Sequence, residues 1–188
     1  ATGKGREVHY LPQYRPENII RIADVLNRSY RQINEQASKR LIETVIRQRL
    51  VKSSEEILEI KEALRITGEM YHQIMKRSRP GVHELEIASA AKACLLSNGT
   101  VEAFPPIITT RGERLHGHKQ ENLMKTQDLL LMDSGAESFL HYASDITRTM
   151  PVGGRFTDVQ KDIYQIVLDA NEKSIAAARA GDTFLEVH

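Results

Sequence analysis

Cysteine is nearly absent from this 188-residue chain, and Cys94 is the only one. A single thiol cannot close an internal disulfide, which points to a reducing, cytoplasmic setting and away from a disulfide-stapled secreted domain. Cys94 also lies in a small-residue stretch with no His and no second Cys near it, as a buried filler does and a nucleophile does not. Charge of one sign is missing too. Lys plus Arg is 26 and Asp plus Glu is 25, so the formal net charge is 26 − 25 = +1. That balance excludes a global footprint for nucleic acid and any field that would gather substrates of one sign. Long apolar runs are lacking as well. The longest aliphatic one is Leu129-Leu130-Leu131-Met132, far short of the ~20 residues of a membrane helix, so no membrane partner is expected. The opening Ala1-Thr2-Gly3-Lys4-Gly5-Arg6-Glu7 carries no apolar signal core and no initiator Met, and a cut piece of a longer chain is expected.

What is present can fold. Apolar residues make up 40% and charged residues 27%, a composition that buries a core. Val8-His9-Tyr10-Leu11 reads as a short strand. Pro16-Glu17 opens a helix whose Ile19, Ile20, Ala23 and Leu26 share a face. A second helix follows Ser38, and its scattered Lys and Arg residues form a solvated face. Ser53 and Glu56 read as a capping box for a long helix with Ile57, Ile60, Leu64, Thr67, Tyr71 and Ile74 in one stripe, ended by Arg79-Pro80-Gly81. An Ala-rich helix from Glu84 to Ser97 stops at Asn98-Gly99. From residue 104 to 152 the pattern turns to strands: Ile107 to Thr110, Leu129 to Met132, and Tyr142 to Val152. Thr157 and Gln160 then cap another long helix, with Gly181 as its C-terminal glycine. Helices, then strands, then a helix make an α+β domain.

Two carboxylates stand out by position. Asp133 ends the Leu-Leu-Leu-Met run, and Asp145 lies in Tyr142-Ala143-Ser144-Asp145-Ile146-Thr147-Arg148-Thr149. If these runs pair as antiparallel neighbours, the two anions converge, and each resists ionising unless a cation sits between them. Oxygen donors of this kind suit Mn²⁺, Mg²⁺ or a catalytic Zn²⁺ or Co²⁺, with Thr147 as a supporting hydroxyl. The plainer reading is a turn-capping Asp133 and an Asp145 paired with Arg148. His72 and His83 read as surface or packing residues, and His141 as a loop histidine near Asp145.

Met132-Asp133-Ser134-Gly135-Ala136-Glu137, Ser144-Asp145-Ile146-Thr147-Arg148-Thr149 and Pro151-Val152-Gly153-Gly154-Arg155-Phe156-Thr157 together resemble the metal-binding signature of the Xaa-Pro aminopeptidases (aminopeptidase P). These enzymes are pita-bread metallopeptidases, related to prolidases and methionine aminopeptidases. Val51 to Ile57, Arg79-Pro80-Gly81, Leu115-His116-Gly117-His118 and Ala180 to Phe184 resemble further stretches of the family, and Val8 to Pro12 with the following helices resembles the end of its N-terminal domain. The resemblance implies residues 1–37 as the tail of an N-terminal domain, 38–52 as a connecting helix, and 53–188 as the first half of a pita-bread catalytic domain.

It also implies two divalent metal ions, manganese first with cobalt or zinc as alternatives, held by two Asp, a His and two Glu. Asp133 and Asp145 match the two Asp positions. Their spacing, 145 − 133 = 12, is one residue longer than in many relatives, and the Glu137–His141 loop can absorb it. The His and Glu ligands would lie beyond His188, so the 188 residues alone are expected to be inactive. His116 matches the family's substrate-side histidine, able to donate a hydrogen bond to a developing tetrahedral oxygen. In the alternative, His116 caps a turn and His118 is the active partner. The implied substrate is a peptide with proline second, for a protein that allows a homo-oligomer. The rivals are a prolidase restricted to dipeptides, a methionine aminopeptidase, for which residues 1–50 are surplus, and a non-catalytic binding module on the same fold.

Overall fold

The computed structural model describes Gly5 and residues 7–188. The chain divides into two compact units, one ending at Glu55 and one running from Glu56 to His188. In the first, α1 (Pro16–Leu26) begins with proline in its first turn, where a missing N–H costs nothing, and ends at Asn27, whose φ of 52° is left-handed. A short 3₁₀ turn (Tyr30–Gln32) leads to α2 (Lys39–Leu50), capped by Ser38, whose Oγ accepts from Leu41 N–H at 3.1 Å. Ala23 and Ile33 are buried, whereas Ile20, expected on the same face as Ala23, is exposed. The strand expected at Val8 to Leu11 is not formed. Ser38 N–H donates to Tyr10 O at 3.0 Å, and the His9 ring meets Ser38 Oγ at 2.8 Å. This segment therefore seats the α2 cap, and among the described residues it pairs with no strand.

The second unit is built on α3 (Ser54–Arg77) and α4 (Glu84–Ser97). The buried stripe of α3 is Ala63, Ile66, Thr67, Met70, Tyr71 and Ile74, at helical spacing. Ile57 and Leu64, expected on that stripe, are exposed, because the small residue Ala63 and not Leu64 faces the core. His83 caps α4: its Nδ1 accepts from Leu85 N–H at 3.4 Å, while Glu86 Oε1 accepts from His83 N–H at 3.0 Å. The cap is a definite role for a histidine expected only at the surface or in packing. Gly99, with φ 69°, follows the helix as expected.

Two small sheets lie beside these helices. β1 (Val101–Glu102) pairs antiparallel with β4 (Ala136–Glu137), and β2 (Ile107–Thr109), β3 (Leu129–Ser134) and β5 (Ile146–Pro151) form an antiparallel sheet in the order β2-β3-β5. Along β3, Leu130, Met132 and Ser134 are buried and alternate with half-buried Leu129, Leu131 and Asp133. The pleat thus sends Leu130 and Met132 into the core with Ile66, Met70, Ile74, Ile87 and Leu95, and turns Asp133 to the other face. Each such aliphatic side chain, fully buried, contributes about 1.5–3 kcal/mol.

Only Ile146 to Pro151 of the extended run expected from Tyr142 is strand. Residues 138–142 close as a turn instead, with Ser138 N–H donating to Tyr142 O at 2.7 Å and His141 N–H to Ser138 O at 2.9 Å. α5 (Asp158–Ala177) carries the expected box: Gln160 N–H donates to Thr157 Oγ1 at 3.3 Å, and Gln160 Oε1 accepts from Thr157 N–H at 3.0 Å. None of its residues is buried. It stops at Ala177 with Ala178 as cap, so Gly181 (φ 103°) belongs to the next turn, before α6 (Phe184–Val187), and is not the glycine of the α5 terminus. Among the described residues no helix is long and apolar enough to cross a membrane.

Candidate metal centre

β3 and β5 are in a register that pairs Asp133 with Thr147 and Ser134 with Ile146. Residues two apart on a strand face the same way, so Asp145, just ahead of β5, points to the side shared by Thr147 and Asp133. Thr147 Oγ1 donates to Asp133 Oδ1 at 2.8 Å. The Asp145 carboxyl is held above the usual carboxylate range, first by partial desolvation, then by the Asp133 charge and a hydrogen bond shared with Asp133. The convergence expected from pairing these two runs is thus present. Arg148 does not relieve it, because its guanidinium donates to Thr147 O at 2.7 Å.

The backbone around the pair is anchored from below by α3. Tyr71 Oη donates towards two carbonyls, Met132 O at 3.0 Å and Ile146 O, and each belongs to a neighbour of one of the aspartates. Burial and then the Asp133 charge push the Tyr71 phenol up, so the hydroxyl stays protonated as a donor. Thr67 Oγ1 donates to Ala63 O at 2.9 Å and lies 2.6 Å from Ser144 Oγ, and Ala136 N–H donates to both hydroxyls, at 2.9 and 3.0 Å. This buried knot fixes Ser144, and through the chain Asp145. Its floor is Gly135: a Cβ there would sit 1.7 Å from Ser144 O, so only glycine fits.

Two carboxylates do not complete a metal site. Among the described residues no group of three or more His, Cys, Asp or Glu is placed to hold an ion. The donor chemistry nevertheless fits one side of a divalent cation: two carboxylates that repel each other, braced by Thr147, with no salt bridge to either among the described residues.

The histidines fall in separate places. His116 is exposed, has a left-handed φ of 58°, and makes no hydrogen bond or ion pair among the described residues. His118 Nδ1 lies 3.4 Å from Pro106 O, one residue before the Ile107 that pairs with Asp133. His141 is joined to Glu137, and His72 is exposed. Cys94 is buried, and burial pushes its thiol up, in keeping with a filler. Sequence reasoning passed over Glu84, a fully buried carboxylate at the start of α4. Its partners, Thr109, Thr110 and Asn122, lie 25 to 38 residues away in sequence, and no local pattern announces them.

The sequence profile of metallopeptidase family M24 matches residues 59–188, which include the whole of this site. The chain belongs to that family. Among its relatives, "Xaa-Pro aminopeptidase 3" of Dictyostelium discoideum is 34% identical over 163 residues, 78% of this chain and 31% of the relative. "Xaa-Pro aminopeptidase" of Escherichia coli K12 is 38% identical over 142 residues, 74% of this chain and 32% of the relative. A solved Zn-substituted E. coli aminopeptidase P in complex with product superposes with a TM-score of 0.71 at 37% identity, covering 74% of this chain and 32% of the other. Proline aminopeptidase P II from Yersinia pestis gives the same TM-score at 36% identity over 74% of this chain and 33% of its own. The pita-bread fold expected for this M24 chain is therefore the fold it shares. It spans about a third of the length of these relatives.

Proposed function

We propose that this chain is the part of an Xaa-Pro aminopeptidase that carries two of the metal ligands, Asp133 and Asp145, and the substrate-side histidine, His116. The complete protein releases an N-terminal residue from a peptide whose second residue is proline. The observation that carries this reading is the convergence of the two aspartates across β3 and β5, in an M24 chain similar to aminopeptidases P. Residues 53–188 then form the first half of the catalytic domain, with 1–37 and 38–52 as an N-terminal domain tail and its connecting helix.

Asp133 and Asp145 would hold the cations, and Thr147 fixes the Asp133 carboxylate by donating to its Oδ1. A pair of divalent ions, manganese on this oxygen-rich donor set, would supply Lewis-acid polarisation of the substrate and activation of a water nucleophile when bound. The remaining donors come from outside the described residues. His116, unengaged on its exposed loop, is free to donate to the developing tetrahedral oxygen, an interaction worth roughly 2.7–4 kcal/mol when well placed.

The test is metal-dependent release of the first residue from an Xaa-Pro tripeptide and from an Xaa-Pro dipeptide by the full-length protein. Cleavage of both is expected. Asp145→Asn should abolish turnover and lower bound Mn²⁺ while the metal-free fold is at least as stable, because one of two repelling anions is gone. Residues 1–188 alone should give no turnover above a metal blank. Near-normal metal binding by Asp145→Asn refutes the ligand role, and cleavage of the dipeptide alone makes the protein a prolidase.

A further inference from the structure

Glu84 is a carboxylate buried to 0% exposure with no cation beside it among the described residues. Its partners are neutral donors. Oε1 accepts from Thr109 Oγ1 at 3.2 Å, Thr110 N–H at 2.6 Å and Thr110 Oγ1 at 2.9 Å; Asn122 N–H donates to Oε2 at 3.0 Å, and Asn122 Nδ2 lies 3.0 Å from both oxygens. Burying an ionised group is costly unless its lone pairs are filled, and here they are filled from two directions. Thr110 is where the chain leaves β2. Asn122 is where it returns, its O accepting from Glu84 N–H at 3.0 Å and its neighbour Leu123 bridged to His83.

Between these points runs the loop that carries His116 and His118. Inside it the backbone bonds are few: Arg114 N–H to Arg111 O at 2.9 Å and Gly117 N–H to Arg114 O at 3.2 Å. Thr109, Arg114, Gly117 and Asn122 help enclose a cavity of about 220 Å³. The two ends therefore determine the path of the loop, and one carboxylate holds both. Glutamine could not replace it, because its NH₂ would face one of the two sets of donors.

We infer that Glu84 is a positioning residue: it staples both ends of the 111–121 loop and thereby fixes the direction in which His116 is presented to substrate. This rests on the reading of His116 as the substrate-side histidine. The test is a double-mutant cycle in the full-length protein with Glu84→Gln, His116→Ala and the pair, reading kcat, bound Mn²⁺ and amide exchange. Misplacement of about 1 Å can cost on the order of 10²-fold, so Glu84→Gln should lower kcat by roughly 10- to 100-fold. It should leave Mn²⁺ content unchanged and speed amide exchange across residues 111–121. Because Glu84 acts through His116, the double variant should be no slower than His116→Ala. Near-normal kcat in Glu84→Gln beside a crippled His116→Ala overturns the staple alone, as do losses that multiply in the double variant. A near-normal His116→Ala overturns the His116 reading and the inference with it. If Glu84→Gln does not fold, Asn122→Ala, which removes only the Nδ2 bonds at the returning end, takes its place in the cycle with smaller shifts in the same directions.

Discussion

Gly135→Ala is the sharpest test of how the aspartate pair is held. The new Cβ would lie 1.7 Å from Ser144 O and 2.5 Å from Ser144 C, where real Cβ contacts do not go below 3.0 Å, so the two backbones must part by at least 3.0 − 1.7 = 1.3 Å. No flexible side chain can absorb that shift. Ser144 N–H donates to Ala136 O at 2.9 Å, and Ala103 N–H donates to Gly135 O at 2.9 Å. Overpacking of this kind costs about 1–3 kcal/mol. Parting the chains also gives up the bonds from Ser144 N–H to Ala136 O and from Ala136 N–H to Ser144 Oγ, each worth about 1 kcal/mol net. The expected loss is about 3–5 kcal/mol. Gly68→Ala is the matched control: it lies within α3 with nothing within 4 Å of its Cβ, and it should gain up to about 1 kcal/mol of helix propensity. Urea unfolding reads both. Asp145 follows Ser144, so Mn²⁺ titration should show weakened binding in Gly135→Ala and unchanged binding in Gly68→Ala. A Gly135→Ala protein within about 1 kcal/mol of wild type, or one with undiminished metal affinity, refutes the reasoning.

Burial raises the Glu84 carboxyl, but the Thr110 and Asn122 donors outweigh it and hold the group below the usual carboxylate range. The stability it contributes is complete above the unfolded-state value and lost as pH falls through the lower folded value, so urea midpoints from about pH 7 to about pH 3 should fall more steeply in wild type than in Glu84→Gln; parallel slopes refute this. Tyr71→Phe strips the donor from Met132 O and Ile146 O and should cost about 1–3 kcal/mol of stability, whereas an unchanged thermal midpoint would show that strand pairing alone satisfies those carbonyls.

Much of this was legible in the sequence because the signals are local. Thr157 with Gln160, Ser38, Pro16 and the Asn98-Gly99 stop each act within one helical turn, and the helices begin or end where these residues place them. The aspartate convergence was legible because pairing a strand ending in Asp133 with one starting after Asp145 leaves little freedom. What escaped depends on distant partners. Leu64 looked like core, but only the position of the sheet decides that Ala63 is covered instead. Val8 to Leu11 has strand-like residues, yet its groups are taken by Ser38. Glu84 carried no signal because Thr110 and Asn122 reach it only in the folded chain.

Asp133 on β3 and Asp145 just ahead of the neighbouring β5 are joined through Gly135, β4 and the 138–142 turn, and this has a consequence for how the sequence can drift. Placing two anions side by side opposes folding, and the hydroxyls of Thr147, Tyr71 and Ser144 brace that arrangement without neutralising it. A lineage freed from the need to bind metal would gain stability by replacing either carboxylate with a neutral residue, and a single base change turns Asp to Asn. On the proposed ligand role, the pair marks a place where selection for chemistry works against selection for stability. Loss of one aspartate while Gly135 and the Ser144 knot persist would leave a chain with the same fold, easier to fold, and without the cation.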